Sequence, residues 1–333
     1  VTISINPLPT VFNVTGGGGY CIGAAGSVIG IDGSETGVAY QLYRGMTPVG
    51  GPIPGTGAPL SFGSQSAIGN YTVYAINTAT TCARGMAGSA TVIINTLPIA
   101  YMVSGGGNYC SGGSGLHVLL NNSQIGVNYE LYLNGSGTLL TLPGGGALDF
   151  GLQTAPGVYT VVGTNGPGCS RTMNGSATIN VWPLPAVYNV TGGGDYCVGG
   201  SGYHIGLALS SIGINYQLKN GVTNVGTPLA GIGSALDFGI KTAAGNYTVV
   251  ATNPVTGCSQ IMGSSAAIVI NPLPTVYTVT GGGAYCTGDT GVHVFLSNAE
   301  TGVDYALWNG TTLVNTVPGI SGLPLDFGLQ TAA

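Results

Sequence analysis

His117, His204 and His293 are the three histidines of this 333-residue chain, and Asp149, Asp237 and Asp326 recur in one motif, Leu-Asp-Phe-Gly. An imidazole beside a carboxylate is the usual core of general acid–base chemistry. Here the alternation of side chains puts each histidine on the outer face of one strand and each aspartate on a different strand. The first copy of the pattern has Val28 and Ser61 at these places. No Ser/His/Asp set recurs, so no catalytic residue, no enzyme activity and no cofactor are expected. Calcium wants several clustered oxygens; ten acids with no Asp-x-Asp do not supply them, so no metal site is expected. The aspartates read as partners in a turn or in a cross-strand hydrogen bond.

Cysteine offers the other chemistry. Each complete copy carries two, giving the expected pairs Cys21–Cys82, Cys110–Cys169 and Cys197–Cys258, with Cys286 paired to a residue beyond the chain. Paired cysteines in a small all-β unit argue for disulfides and an oxidising compartment, with a bridge near one end of the unit. Without a Cys-x-x-Cys and with two thiols per copy, zinc is excluded. The Gly-Gly-Gly-x-Tyr-Cys box lacks the Gly-Lys-Ser/Thr ending of a phosphate loop and precedes no helix. It reads as a tight loop needing positive φ.

These residues sit in an internal repeat. Ile5 to Cys21 (INPLPTVFNVTGGGGYC) returns as Ile94 to Cys110 (INTLPIAYMVSGGGNYC), Asn180 to Cys197 (NVWPLPAVYNVTGGGDYC) and Ile270 to Cys286 (INPLPTVYTVTGGGAYC). The period is about 88 residues, longer than a solenoid repeat of roughly 20 to 50, so each copy is a small domain. The expected division is residues 1–9 as the last strand of a preceding repeat, then repeats at 10–98, 99–185, 186–274 and an incomplete one at 275–333. The last lacks its two final strands, and the chain reads as a piece of a longer array or one completed by a neighbouring chain.

Period-two alternation runs through every copy, while helical periodicity is absent. Val127, Tyr129 and Leu131 alternate with Asn128, Glu130 and Tyr132; Ile205, Leu207 and Leu209 form a second inward series; Leu148 and Phe150 flank Asp149. Tyr71, Tyr159 and Tyr247 open a Tyr-Thr-Val strand. About seven short strands per repeat, split by Gly-rich turns, predict tandem immunoglobulin-like β-sandwiches. Between copies the last strand passes directly into a Pro-bearing joint (Pro7 and Pro9, Pro98, Pro183 and Pro185, Pro272 and Pro274). Proline favours extended geometry, so a semi-rigid rod is expected, each repeat adding roughly 30–40 Å.

Composition narrows the role. Five basic residues against ten acids give a net charge of −5, which leaves no surface to track phosphates and excludes nucleic acid. No apolar run is long enough to span a membrane. Charged residues are 5% of the chain, against roughly 25% in ordinary domains. Copies therefore repel one another weakly, and lateral or end-to-end self-association is expected. Tyr43, Tyr132 and Trp308 share one outward position, filled by Lys219 in the third repeat. They form a candidate contact surface for sugars or a partner chain.

Pro-Leu-Pro…Val-Thr-Gly-Gly-Gly-x-Tyr-Cys, Gly-x-x-Tyr-x-Leu, Leu-Asp-Phe-Gly, Gly-x-Tyr-Thr-Val and Gly-Cys together resemble the immunoglobulin-like repeats of long secreted surface proteins and adhesins of Bacteroidota-type bacteria. The resemblance spans the chain, and its motifs are structural. It implies a secreted, cell-surface location and a structural role: the shaft of an extracellular filament or adhesin. The alternative is a multivalent module that binds surface glycans through outward aromatics and loops. The outward site varies as Tyr, Tyr, Lys, Trp, which favours the shaft.

Overall fold

The computed structural model describes residues 3–331; Val1 and Thr2, in the expected leading strand, and Ala332 and Ala333, at the end of the expected fourth repeat, lie outside the described residues. The chain is all-β and divides into two compact units, residues 1–183 and 184–333.

Nine strands build the first repeat: β1 (Val14–Gly16), β2 (Gly18–Cys21), β3 (Ser27–Ile31), β4 (Val38–Arg44), β5 (Thr47–Pro54), β6 (Leu60–Gln65), β7 (Gly69–Asn77), β8 (Ala83–Gly85) and β9 (Ala90–Asn95). One sheet has the order β1-β3-β6; the other runs β2-β9-β7-β4-β5, with β8 also on β7. All pairs are antiparallel except β2 with β9. This is the immunoglobulin-like sandwich, whose first strand is shared between two sheets and whose last pairs parallel with it. The second and third repeats reproduce both sheets; the third replaces the strand equivalent to β5 by two short pieces, Thr223–Asn224 and Leu229–Ala230. In the fourth, Val279–Gly281, Val292–Leu296 and Leu325–Gln330 form one sheet and Asp304–Asn309 with Thr312–Pro318 the other.

The glycine box performs the sheet switch. Gly16, Gly17 and Gly18 have φ of 86°, 78° and 104°, a region costly to any residue with a Cβ. The three turn the chain out of β1, paired with β3, into β2, paired with β9. At Gly16 a Cβ would stand 2.0 Å from the Val28 carbonyl oxygen.

Alternation fixes the core as expected. Ile29, Ile31, Tyr40, Leu42, Tyr71, Val73 and Val92 are buried between the sheets, with Phe12, Leu60 and Phe62 packed against them. The second and third repeats bury the corresponding residues. Leu209 departs from the pattern: its strand ends at Leu207, and the side chain is 41% exposed. Two tyrosines per repeat carry polar ends into this apolar interior and satisfy them. Tyr71, Tyr159 and Tyr247 donate to the carbonyls of Ala67, Ala155 and Ala243 at 2.8–2.9 Å. That is the tyrosine corner of immunoglobulin-like folds. Tyr40, Tyr129 and Tyr216 instead accept from the amides of Glu35, Gln124 and Ser211 at 2.8–3.0 Å.

Residues 3–9, expected to be a strand, form none. Their equivalent, β9, is held by β2 and β7 of its own repeat, and a strand without such neighbours has nothing to bond.

Candidate functional site

Four kinds of residue could do chemistry here, and the fold sorts them. The histidines and aspartates come together, although they lie on separate strands. The strands equivalent to β3 and β6 pair antiparallel with a register shift after each histidine. His117 Nδ1 meets Asp149, His204 meets Asp237 and His293 meets Asp326, each at 2.8 Å. The same carboxylates accept the amides of Gly151, Gly239 and Gly328 at 2.7–2.8 Å. Those glycines have φ of 75–81° and sit at the bulge. The aspartates thus make the turn and cross-strand hydrogen bonds expected of them; what the separate strands did not suggest is that the cross-strand partner is the histidine, because the bulge shifts the register and aims both side chains at one point.

The pairs face solvent, with 44–63% of each imidazole exposed. The His117 hydrogen bond, then the Gly151 amide, holds Asp149 below its ordinary value. For Asp326 the order is His293, then Gly328; for Asp237 the Gly239 amide comes first and partial desolvation opposes it. An exposed two-residue pair braces the bulge in the second, third and fourth repeats; the first, with Val28 and Ser61 in their places, makes the same register shift without it. Among the described residues, no three His, Cys, Asp or Glu side chains gather as a metal would need.

The outward aromatics differ in setting. Tyr43 packs edge-to-face on Tyr74 with ring centroids 5.6 Å apart, in an open groove with Gly45 and the exposed Met46. Tyr132 is half-buried, and Trp308 is 57% exposed. Lys219 is half-buried.

The cysteines overturn an expectation. Cys21 is bonded to Cys169, with Cα atoms 5.6 Å apart and a sequence separation of 148. The bridge therefore joins the first repeat to the second. None of the pairs expected within a repeat forms: Cys82 and Cys197 are free thiols, and Cys169 is taken by Cys21. Cys286 is also free, while Cys110 and Cys258 are each disulfide-bonded.

The cause lies in the joint. β2 runs parallel to β9 and sets Cys21 beside Asn95, the last residue of β9. From there Thr96-Leu-Pro98 leads straight into the second repeat. That repeat's loop after Gly157–Asn165 returns to the same place: Asn165 Nδ2 donates to the Thr96 carbonyl at 2.7 Å and Arg171 donates to the Pro98 carbonyl at 3.4 Å. Asn165 Oδ1 also accepts the amide of Cys169 and so aims that residue. Cys169 is fully buried, and Pro98 is buried with it. Of the joint prolines, Pro9 and Pro185 are likewise buried, whereas Pro7, Pro183, Pro272 and Pro274 are exposed.

Cys21 ends a strand that pairs with the last strand of its own repeat, so it lies at the exit of that repeat, beside the joint to the second; no spacing in the sequence announces that parallel pairing.

No family model matches the chain, and no curated protein matches it. Among solved structures it is similar to a Ca2+-stabilised adhesin that helps an Antarctic bacterium reach out and bind ice. That match is 15% identical, covers 96% of this chain and 91% of the other, and has a TM-score of 0.39. A 1.5-MDa bacterial ice-binding adhesin is 12% identical over 80% of this chain and all of its own, with a TM-score of 0.31. The ectodomain of mouse nectin-like molecule 4 is 12% identical over 78% and 99%, with a TM-score of 0.32.

Proposed function

We propose that this chain is a stretch of the shaft of an extracellular filament or surface adhesin, a secreted structural protein that spans distance and transmits load. The Cys21–Cys169 bridge carries this reading. A bridge within a repeat would stabilise that repeat alone. One that joins consecutive repeats also keeps them in contact when one of them is strained. In the chain-entropy model, closing so long a loop contributes roughly 5 kcal/mol. Disulfides persist in oxidising surroundings, which supports a secreted location. The direct strand-to-strand joint, the buried Pro98 and the low surface charge support a self-associating shaft.

Pulling the oxidised chain by its ends tests this. The bridge should shield the residues between Cys21 and Cys169, about 500 Å of extended chain at roughly 3.5 Å per residue. A reductant should release that length. Release without reductant, or independent tumbling of the first two repeats in the oxidised chain, sinks the reading.

Glycan binding is the second reading. The Tyr43–Tyr74 pair and exposed Trp308 favour it, since aromatic faces stack on sugars. Quenching or a spectral shift of Trp308 fluorescence on titration with polysaccharide, absent in Trp308→Ala, is the result expected of that role.

A further inference from the structure

The bonded cysteines are of two kinds. Cys21 and Cys110 end the glycine box, while Cys169 and Cys258 lie in the loop after the Tyr-Thr-Val strand. The free thiols are of the same two kinds: Cys82 belongs to the loop, Cys197 and Cys286 to the box. The surroundings of Cys82 and Cys197 are already those of the bridge. Cys82 Sγ lies 4.0 Å from the Asn6 carbonyl oxygen. Asn6 holds, in Ile-Asn-Pro-Leu-Pro, the place that Asn95 holds in Ile-Asn-Thr-Leu-Pro, and Asn95 is the residue beside Cys21. The Cys82 thiol thus stands against the segment along which a box strand would run.

Cys197 is the converse half. It pairs in parallel register with Asn271, and the Val198 amide donates to the Asn271 carbonyl at 2.9 Å, as Ile22 does to Asn95 at 3.0 Å. The bonded loop cysteines Cys169 and Cys258 are fully buried, whereas Cys82 is partly exposed and Cys197 and Cys286 are exposed.

We propose that Cys82 receives the box cysteine of a further repeat of this kind, and that Cys197 and Cys286 each receive a loop cysteine of one. The shaft would then be closed by one repeating inter-domain bridge. This inference rests on the shaft reading and names the partner. The same chemistry serves a repeat elsewhere on the same polypeptide or one on a second copy.

Two thiols lose two protons and two electrons in forming the bond. A disulfide oxidant supplies the acceptor: one thiolate attacks it, the second displaces the reduced sulfur, and the oxidant leaves as thiols.

Two preparations test it. The oxidised chain is concentrated in a buffer of reduced and oxidised glutathione, run without reductant, and its bridged peptides are identified by mass spectrometry. The expected product is a ladder of multimers in which the Cys82 peptide is joined to that of Cys197 or Cys286, with Cys82→Ser reducing multimers at least tenfold. In the protein as cells make it, the expected partner of Cys82 is the box peptide of Cys197 or Cys286, or a box peptide ending Tyr-Cys from beyond this sequence. The first result points to a second copy, and a box peptide from beyond this sequence points to the same polypeptide. A Cys82 that in both preparations stays a thiol, carries only glutathione, or joins Cys21 or another Cys82 overturns the inference. If Cys21–Cys169 still shields its length under load in that case, the shaft reading survives; if not, both fall.

Discussion

Single side chains in this protein mostly set local geometry. The tyrosine corner shows the cost of one atom. In Tyr71→Phe the Ala67 carbonyl loses its 2.8 Å donor at the start of β7, and a net loss of about 1 kcal/mol is expected, measurable by urea denaturation. The His–Asp pairs give a pH dependence with a definite sign. Asp149 is held below its ordinary value, by His117 first and the Gly151 amide second. A carboxylate depressed in the folded state adds stability that is complete above its unfolded value, about 3.9. That stability is lost as pH falls through the folded value. Asp149→Asn should therefore lose this contribution at neutral pH and flatten the acid side of the stability curve, so that variant and parent converge as pH falls below about 4. Melting temperatures across that range check it, and an unchanged acid slope would count against the pairing.

At the level of strands, the glycine box is the element on which the sandwich turns. Gly105 has φ of 97°, and a Cβ there would lie 2.2 Å from the His117 carbonyl oxygen, a backbone atom that cannot rotate away. Gly112 has a similar φ of 82° and open space around it. Gly112→Ala should cost about 1–2 kcal/mol of backbone strain alone, and Gly105→Ala clearly more, because the two sheets must shift. Thermal melts of the two variants separate strain from overlap; equal losses would mean that the switch tolerates a side chain. The second landmark, Leu-Asp-Phe-Gly, works similarly: glycine takes the bulge, and the aspartate caps the amide that the bulge frees.

Across the molecule, stability depends on which cysteines are joined. Cys169→Ser should lower the stability of the linked first and second repeats by several kcal/mol, up to roughly 5. Cys82→Ser, which removes a free thiol, should change it by less than about 0.5. Bridges within repeats, Cys21–Cys82 and Cys110–Cys169, would make the two losses alike, so denaturation of the two variants decides between them. Low charge makes a further prediction. Self-association seen by light scattering should change little between low and high salt, because few charges are there to be screened; a steep salt dependence would argue for a specific ionic contact.

The sequence by itself determined the repeat period, the strand alternation, the inward faces and the positive-φ box. Each of these follows from local sterics and from burial on a two-residue period, which neighbouring residues express directly. Met86, Met173 and Met262 carry no such local signal, yet all three are buried and two take a backbone amide on sulfur. They sit where the last strand is broken and alternation lapses. Tertiary structure alone decided the partners. His117 finds Asp149 only because a bulge slips the register, and Cys21 finds Cys169 only because a parallel strand carries it to the exit of its domain. Spacing along the chain records neither event, since a side chain bonds to whatever the fold brings near it, whether in its own repeat or in the next.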